Sequence, residues 1–209
     1  MSIETEIKFT VPDKTVLARI ASLGSVAGYI ATDTGTRTHT DTYFDTVDFT
    51  LYHEKIVFRL REYEDRSVLT CKAQGVSEGS ILRRIEIEEV TLLTPEDLSG
   101  GEMPDSRPVR ELYERIGIVN LTRSLGVTNN RRTIFLKKDG RAYFELVLDD
   151  VDFCGPRGRT VVLELEVESV DSDEGNLLEV GTWLKSRFEL GDAGPSKYIL
   201  GMDSVGGMP

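Results

Sequence analysis

The sequence predicts an α+β protein built on an antiparallel sheet whose apolar face is covered by helices. Three observations lead there. Segments that alternate apolar and charged residues recur from Ile3-Glu4-Thr5-Glu6-Ile7-Lys8-Phe9 to Leu163-Glu164-Leu165-Glu166-Val167-Glu168, and a period of two belongs to strands. Turn signals separate these segments, among them Lys138-Asp139-Gly140-Arg141 and Cys154-Gly155-Pro156-Arg157-Gly158. Three amphipathic stretches, carrying Leu17/Ile20, Leu112/Ile116 and Leu184/Phe188, supply helices with an apolar side to bury.

In chain order, Ile3–Phe9 is a strand with Glu4, Glu6 and Lys8 on one face. Pro12-Asp13-Lys14 opens a helix that Gly24 ends. A Thr-rich strand follows over about 36–46, with Asp41, Tyr43 and Asp45 on one face. Phe49–His53 is expected to be a connection. Ile56–Arg61 is a strand in which Arg59 and Arg61 alternate with Phe58 and Leu60. After a turn near Glu64-Asp65-Arg66, Ser67–Ala73 places Lys72 opposite Leu69 and Cys71. Gly75 and Gly79 read as a loop before Arg84, Glu86 and Glu88, which alternate with Ile85 and Ile87. Thr94-Pro95-Glu96-Asp97 suggests a short helical turn, and 100–104 a break. Val109, Leu112, Tyr113 and Ile116 form a helical stripe closed by Gly117. Strands are expected over 121–125 and 131–137, with a break from Gly126 to Asn130 between them. Further strands are expected over 142–151, with Glu145 and Asp149 facing one way, and over 160–169. A last helix spans Leu177 to Phe188, and a Gly-rich tail from about 201 is expected to be loose.

With 209 residues and no repeat, linker or shift in composition, the chain reads as one domain, 1–209. Its 39% hydrophobic and 29% charged residues are those of a soluble globular protein. A net charge of −11 argues against an outer surface that grips duplex nucleic acid or an anionic membrane. No apolar run is long enough to cross a bilayer. The first ten residues carry charges in place of a leader's apolar run, so the cytoplasm is the expected location. Cys71 and Cys154 each lie in an apolar-patterned segment, so neither a disulfide framework nor a zinc site is expected. Nothing in the pattern specifies an oligomer.

The charged faces repeat pairs of one sign: Glu4/Glu6, Arg59/Arg61, Glu86/Glu88 and Glu164/Glu166/Glu168. Neighbours at i and i+2 are roughly 7 Å apart, close enough to repel unless opposite charges stand between them. Two arrangements satisfy the alternation. One is an open sheet with its charged face in water. The other is a sheet curled shut, charges inward and helices outside, whose carboxylates suit Mg²⁺ or Mn²⁺ and whose arginines and lysines suit a phosphate chain.

Glu4-Thr5-Glu6-Ile7-Lys8 resembles the N-terminal ExExK signature of the CYTH superfamily, the triphosphate tunnel metalloenzymes. Thr42-Tyr43-Phe44-Asp45-Thr46, Phe58-Arg59-Leu60-Arg61, Leu69-Thr70-Cys71-Lys72, Arg84-Ile85-Glu86-Ile87-Glu88, the Arg132 strand, Glu145 with Asp149, and Glu164-Leu165-Glu166 follow in the family's order, so the resemblance runs nearly to Lys197-Tyr198. It implies a closed eight-stranded antiparallel β tunnel with a charged interior. It also implies a metal-dependent phosphohydrolase that cleaves the terminal phosphoanhydride of inorganic triphosphate or a small organic triphosphate. The family also contains class IV adenylate cyclases, which make cyclic AMP from ATP, and a non-catalytic polyphosphate- or nucleotide-binding module is a third reading. Carried over by position, Glu4, Glu6, Glu164 and Glu166 would hold Mg²⁺ or Mn²⁺, with Asp149 a further ligand. Lys8, Arg59, Arg61, Lys72, Arg84, Arg132 and Lys197 would grip the phosphates, Lys197 only if the C-terminal segment folds back onto the tunnel. Glu86 and Glu88 would pair with neighbouring arginines and hold them in place. Tyr43 and the carboxylates near the metal are candidates for the general base. His39 and His53 match no motif position and are expected at the surface or in loops. Trp183 is expected over the outer face, with Cys71 pointing outward into the helix packing.

Overall fold

The computed structural model describes residues 2–99, 103–193 and 196–207. The break expected around Gly100-Gly101-Glu102, the residue Pro195 and the last two residues of the tail lie outside the described residues.

The strands close into a ring. β1 (Ser2–Thr10) lies between β6 (Ile81–Thr91) and β9 (Gly158–Ser169), pairing antiparallel with both. From β6 the order continues through β5 (Ser67–Glu78), β4 (Val57–Glu62), β3 (Tyr29–Asp45), β7 (Thr122–Lys138) and β8 (Arg141–Gly155) back to β9. Eight antiparallel strands therefore form a barrel without an open edge. Two short strands, β2 (Ser25–Val26) and β10 (Gly191–Asp192), pair on its flank.

Alternation then decides which side chains look in. The outward apolar rows of β1, β7, β8 and β9, with Ile7, Phe9, Leu146 and Leu165 among them, are buried under α1 (Lys14–Ala21) and α4 (Glu174–Lys185), which brings Leu177 and Leu184 to them with Trp183 packed at the margin. Those of β3 to β6 lie under α3 (Arg107–Ile116), where Phe58, Leu69, Cys71 and Leu112 meet. Each fully buried Leu or Phe contributes about 1.5–3 kcal/mol. Asp13, Ser106 and Asp173 cap the three helices by accepting backbone N–H bonds.

Several elements depart from the sequence reading. β7 is continuous through Gly126–Asn130, because Gly126 pairs with Thr42 on one side and Cys154 on the other. Pairing on both flanks overrides the local breaker signal. β5 likewise runs past Gly75 with a register shift between Ala73 and Val76. Thr94–Leu98 makes only turns. Thr50–His53 forms a short helix, α2, because the Asp45 carboxylate accepts the N–H bonds of Leu51 and Tyr52 at 2.8 and 2.9 Å. The described part of the tail is ordered. Residues 201–205 are the last turns of α5 (Lys197–Val205), whose Tyr198, Met202 and Val205 pack on Leu125, Val127, Val151 and Phe153. Those partners share a face with the charged rows, so α5 sits on the inward face of the barrel. Gly201 permits the approach: a Cβ there would come within 2.4 Å of the Leu125 side chain and 2.7 Å of the Phe153 ring.

Candidate active site

The inward rows of the ring surround a cavity of about 280 Å³. Its lining includes Glu4, Lys8, Tyr43, Arg59, Arg61, Lys72, Arg84, Arg131, Glu166, Glu168 and Lys197. These side chains come from seven strands and α5, and their positions follow from strand parity and register. Lys8 stands across from Glu166, Glu4 from Arg84, Lys72 from Glu86, and Arg131 from Asp149.

Opposite charges interleave. Lys72 Nζ donates to Glu4 at 2.9 and 3.0 Å and lies 2.7 Å from Glu86. Arg84 bonds Glu4 at 3.1 Å and also Glu6. Lys8 bonds Glu166 and lies 3.3 Å from Glu6. Arg131 forks onto Asp149 at 2.9 and 2.7 Å and reaches Glu166 at 3.1 Å. The Lys197 ammonium, at the start of α5, stands 2.9 Å from Asp149, 2.7 Å from Glu164 and 2.6 Å from Glu166. Burial alone would raise the Glu4 carboxyl, but the charges of Lys72, Arg84 and Lys8 hold it at about 2. Burial likewise works against Glu166, and Lys197, Lys8 and Arg131 outweigh it, keeping that carboxyl well below its usual range. Asp149 is lowered in the same way by Arg131 and Lys197. Glu168 goes the other way: burial, then the neighbouring Glu166 and Glu4 carboxylates, push it up to about 8 against the pull of Arg131.

A second cluster flanks the first. The buried Asp41 carboxylate accepts both prongs of the Arg61 guanidinium, at 2.7 and 2.8 Å, with Arg59 3.6 Å away. Arg59 also bonds Thr70 at 3.2 Å and faces Glu88 at 3.6 Å. His39 is buried beside Asp41, not at the surface as expected. Burial foremost, then the charge of Arg61, lowers its imidazole to about 3, so it is neutral. Tyr43 lines the cavity and stacks on Tyr198 at 5.3 Å. Burial and then Asp41 raise its phenol above the usual value, so the hydroxyl is protonated at neutral pH.

One predicted residue is displaced. Arg132 points away from the cavity and pairs with Asp33 on the outside, while Arg131 takes the inward position. Parity explains this, since Arg131 stands across from the inward Asp149 and Arg132 across from the outward Leu148. Asp41 was also missed as a partner for the arginines, although its spacing from Tyr43 places both on one face.

The profile of the CYTH domain matches residues 2–197. The chain belongs to the CYTH domain family. Among solved structures, the CYTH barrel described here is similar to a Hippeastrum protein named for adenylyl cyclase and described as having a dominant triphosphatase activity, at 18% identity, TM-score 0.70, covering 97% of this chain and 96% of that one. It is also similar to a Bacillus halodurans protein named for adenylate cyclase, at 19% identity, TM-score 0.65 and coverage of 96% and 98%. A Mimivirus capping enzyme triphosphatase is more distant, at 12% identity, TM-score 0.52 and coverage of 87% and 86%. At these identities the likeness is one of fold. No curated protein sequence matches the chain.

CYTH membership raises the question of a divalent metal, and the donors present fit one. Two carboxylate groups, Glu4/Glu6/Glu168 and Asp149/Glu164/Glu166, each bring one oxygen per residue to within 4.8 Å of the others. All six donors are hard oxygen ligands of the kind Mg²⁺ and Mn²⁺ take. Glu6 Oε2 and Glu164 Oε2 are buried and accept no hydrogen bond, although a lysine ammonium stands near each.

Proposed function

We propose that this chain is a divalent-metal-dependent triphosphatase, hydrolysing the terminal phosphoanhydride of inorganic triphosphate or of a small organic triphosphate. One observation carries the reading: two carboxylate trios that suit a hard cation reach, through Glu4, Glu168 and Glu166, the same cavity that arginines and lysines suited to phosphate oxygens line. A surface built only to bind a polyanion would be weakened by so many carboxylates.

Glu4, Glu6, Asp149, Glu164 and Glu166 are the residues that would hold Mg²⁺ or Mn²⁺. When bound there, such an ion neutralises phosphate charge and lowers the pKa of a coordinated water. The chain's own cations do the rest. Arg59, Arg61, Arg84 and Arg131 present planar N–H forks to phosphoryl oxygens. Lys8, Lys72 and Lys197 add point charges on the floor and walls. Because these groups are already held by carboxylates, they need little reorganisation to meet the charge that develops as the phosphoryl group is transferred. Glu4, Glu6, Asp149, Glu164 and Glu166, where Arg84, Arg131 and the lysines let go of them, become free to face the metal. The Tyr43 hydroxyl, kept protonated, donates towards the phosphate chain.

The test is direct. Purified protein with Mg²⁺ or Mn²⁺ is offered inorganic triphosphate, ATP and thiamine triphosphate. Orthophosphate release supports the proposal. Cyclic AMP with pyrophosphate would replace it with the cyclase reading, and saturable binding without turnover would reduce the chain to a binding module.

A further inference from the structure

The cavity changes character along its length. The side chains of Lys8 and Lys197 are 9% and 6% exposed, whereas Arg66 and Glu88 reach 41% and 47%, so it opens towards the turn between β4 and β5. Tyr63 and Arg66 belong to that turn and line the opening. The Tyr63 N–H donates to the Arg66 carbonyl at 2.8 Å and closes the turn. The Arg66 guanidinium lies 4.9 Å from the centroid of the Tyr63 ring, and the His39 ring packs 5.4 Å from the same centroid. Three flat groups thus stand together beside Arg61. Arg66 is also 3.3 Å from Asp65, which offsets part of its charge. Holding a chain of phosphates calls for charge and N–H donors, not for an aromatic layer. A guanidinium plane backed by an aromatic ring is, by contrast, a surface on which nucleobases stack.

We propose that Tyr63 and Arg66 form a specificity-determining platform for the base of a nucleoside triphosphate whose phosphates run inward past Arg61. The direction assigned to the phosphates rests on the triphosphatase reading above. His39, which offers no charge to the cavity, then has a place as the group that backs the Tyr63 ring.

The platform is tested with ligands that a triphosphatase does not turn over, β,γ-methylene ATP and the bis-methylene analogue of inorganic triphosphate, titrated into the full chain with Mn²⁺. Loss of a stacking surface weakens a base by roughly tenfold. Tyr63→Leu is expected to weaken the ATP analogue by about tenfold while the triphosphate analogue stays within about twofold. Arg66→Lys, which keeps the charge and loses the plane, is expected to act in the same direction. Equal weakening of both ligands would assign these residues to phosphate binding or to folding, and an unchanged ATP analogue would remove the platform; either result overturns the proposal. Failure of the triphosphatase reading looks different: the wild-type chain would leave triphosphate and ATP uncleaved while the binding differences persisted. Binding of neither analogue by the wild type would overturn both.

Discussion

Asp41→Asn isolates one buried charge from its geometry. The Asp41 side chain is fully buried, takes both prongs of Arg61 at 2.7 and 2.8 Å, and lies 3.6 Å from Arg59. Asparagine keeps the shape and removes the charge, leaving two buried guanidinium groups with a single neutral acceptor between them. Breaking a buried ion pair from one side costs about 3–5 kcal/mol. For a domain of this size each kcal/mol lowers Tm by about 2–4 °C, so the expected fall is about 6–20 °C. Thermal unfolding followed by circular dichroism at neutral pH measures it. Inorganic triphosphate should recover more of the lost stability in the variant than it adds to the wild type, because phosphate can neutralise the uncompensated positive charge left at Arg61. A fall of less than about 2 °C would refute the view that Arg61 is held in a desolvated site by Asp41.

Other substitutions separate neighbours that look alike in sequence. Arg131→Ala should lower kcat/KM for triphosphate by at least about 100-fold, as expected when a donor to the developing charge is lost. Arg132→Ala, which removes only an outer ion pair with Asp33, should change stability by less than about 1 kcal/mol and leave turnover near the wild-type rate. Glu6→Gln should abolish turnover and weaken Mn²⁺ binding measured by calorimetry, with the fold intact by circular dichroism. Acid sensitivity supplies another check. His39 is lowered from 6.5 to about 3, so between those values the unfolded chain binds a proton that the folded chain refuses, and stability falls as pH drops. From pH 7 to 5 this amounts to about 2 kcal/mol at about 1.4 kcal/mol per unit. Glu168, raised to about 8, acts with the opposite sign over the same window. The useful quantity is therefore the difference between wild type and His39→Gln, which should lose about 2 kcal/mol less on acidification; equal losses would contradict a buried neutral His39.

Much of this architecture is legible in the alternation. The same-sign pairs Glu4/Glu6, Arg59/Arg61 and Glu164/Glu166 all face inward together, because repulsion within each pair is relieved by the opposite charge on the next strand. Closure is harder to read, since it depends on β1 pairing with both β6 and β9, a contact with no local signature. The exchange of Arg132 for Arg131 traces to strand phase. With Gly126–Asn130 taken as a break, the parity of the following strand has no anchor; with β7 continuous, Val127, Asn129 and Arg131 fall on one side. His39 shares parity with Asp41 and Tyr43, and the threonines around it hide that signal. In α5, Tyr198, Met202 and Val205 stand at helical spacing, but Gly201, Gly206 and Gly207 disguise the stripe, and only the inward face of β7 and β8 supplies the surface it needs.

The account stands on a divalent cation and a triphosphate occupying one cavity together. Phosphorus-31 resonances of the bis-methylene triphosphate analogue, recorded with the full chain as Mn²⁺ is added, report that directly. Strong paramagnetic broadening with the wild type, sharply reduced in Glu6→Gln and Glu164→Gln, is the predicted result. An analogue that binds while its resonances broaden no more than with Mn²⁺ and the two variants would contradict it.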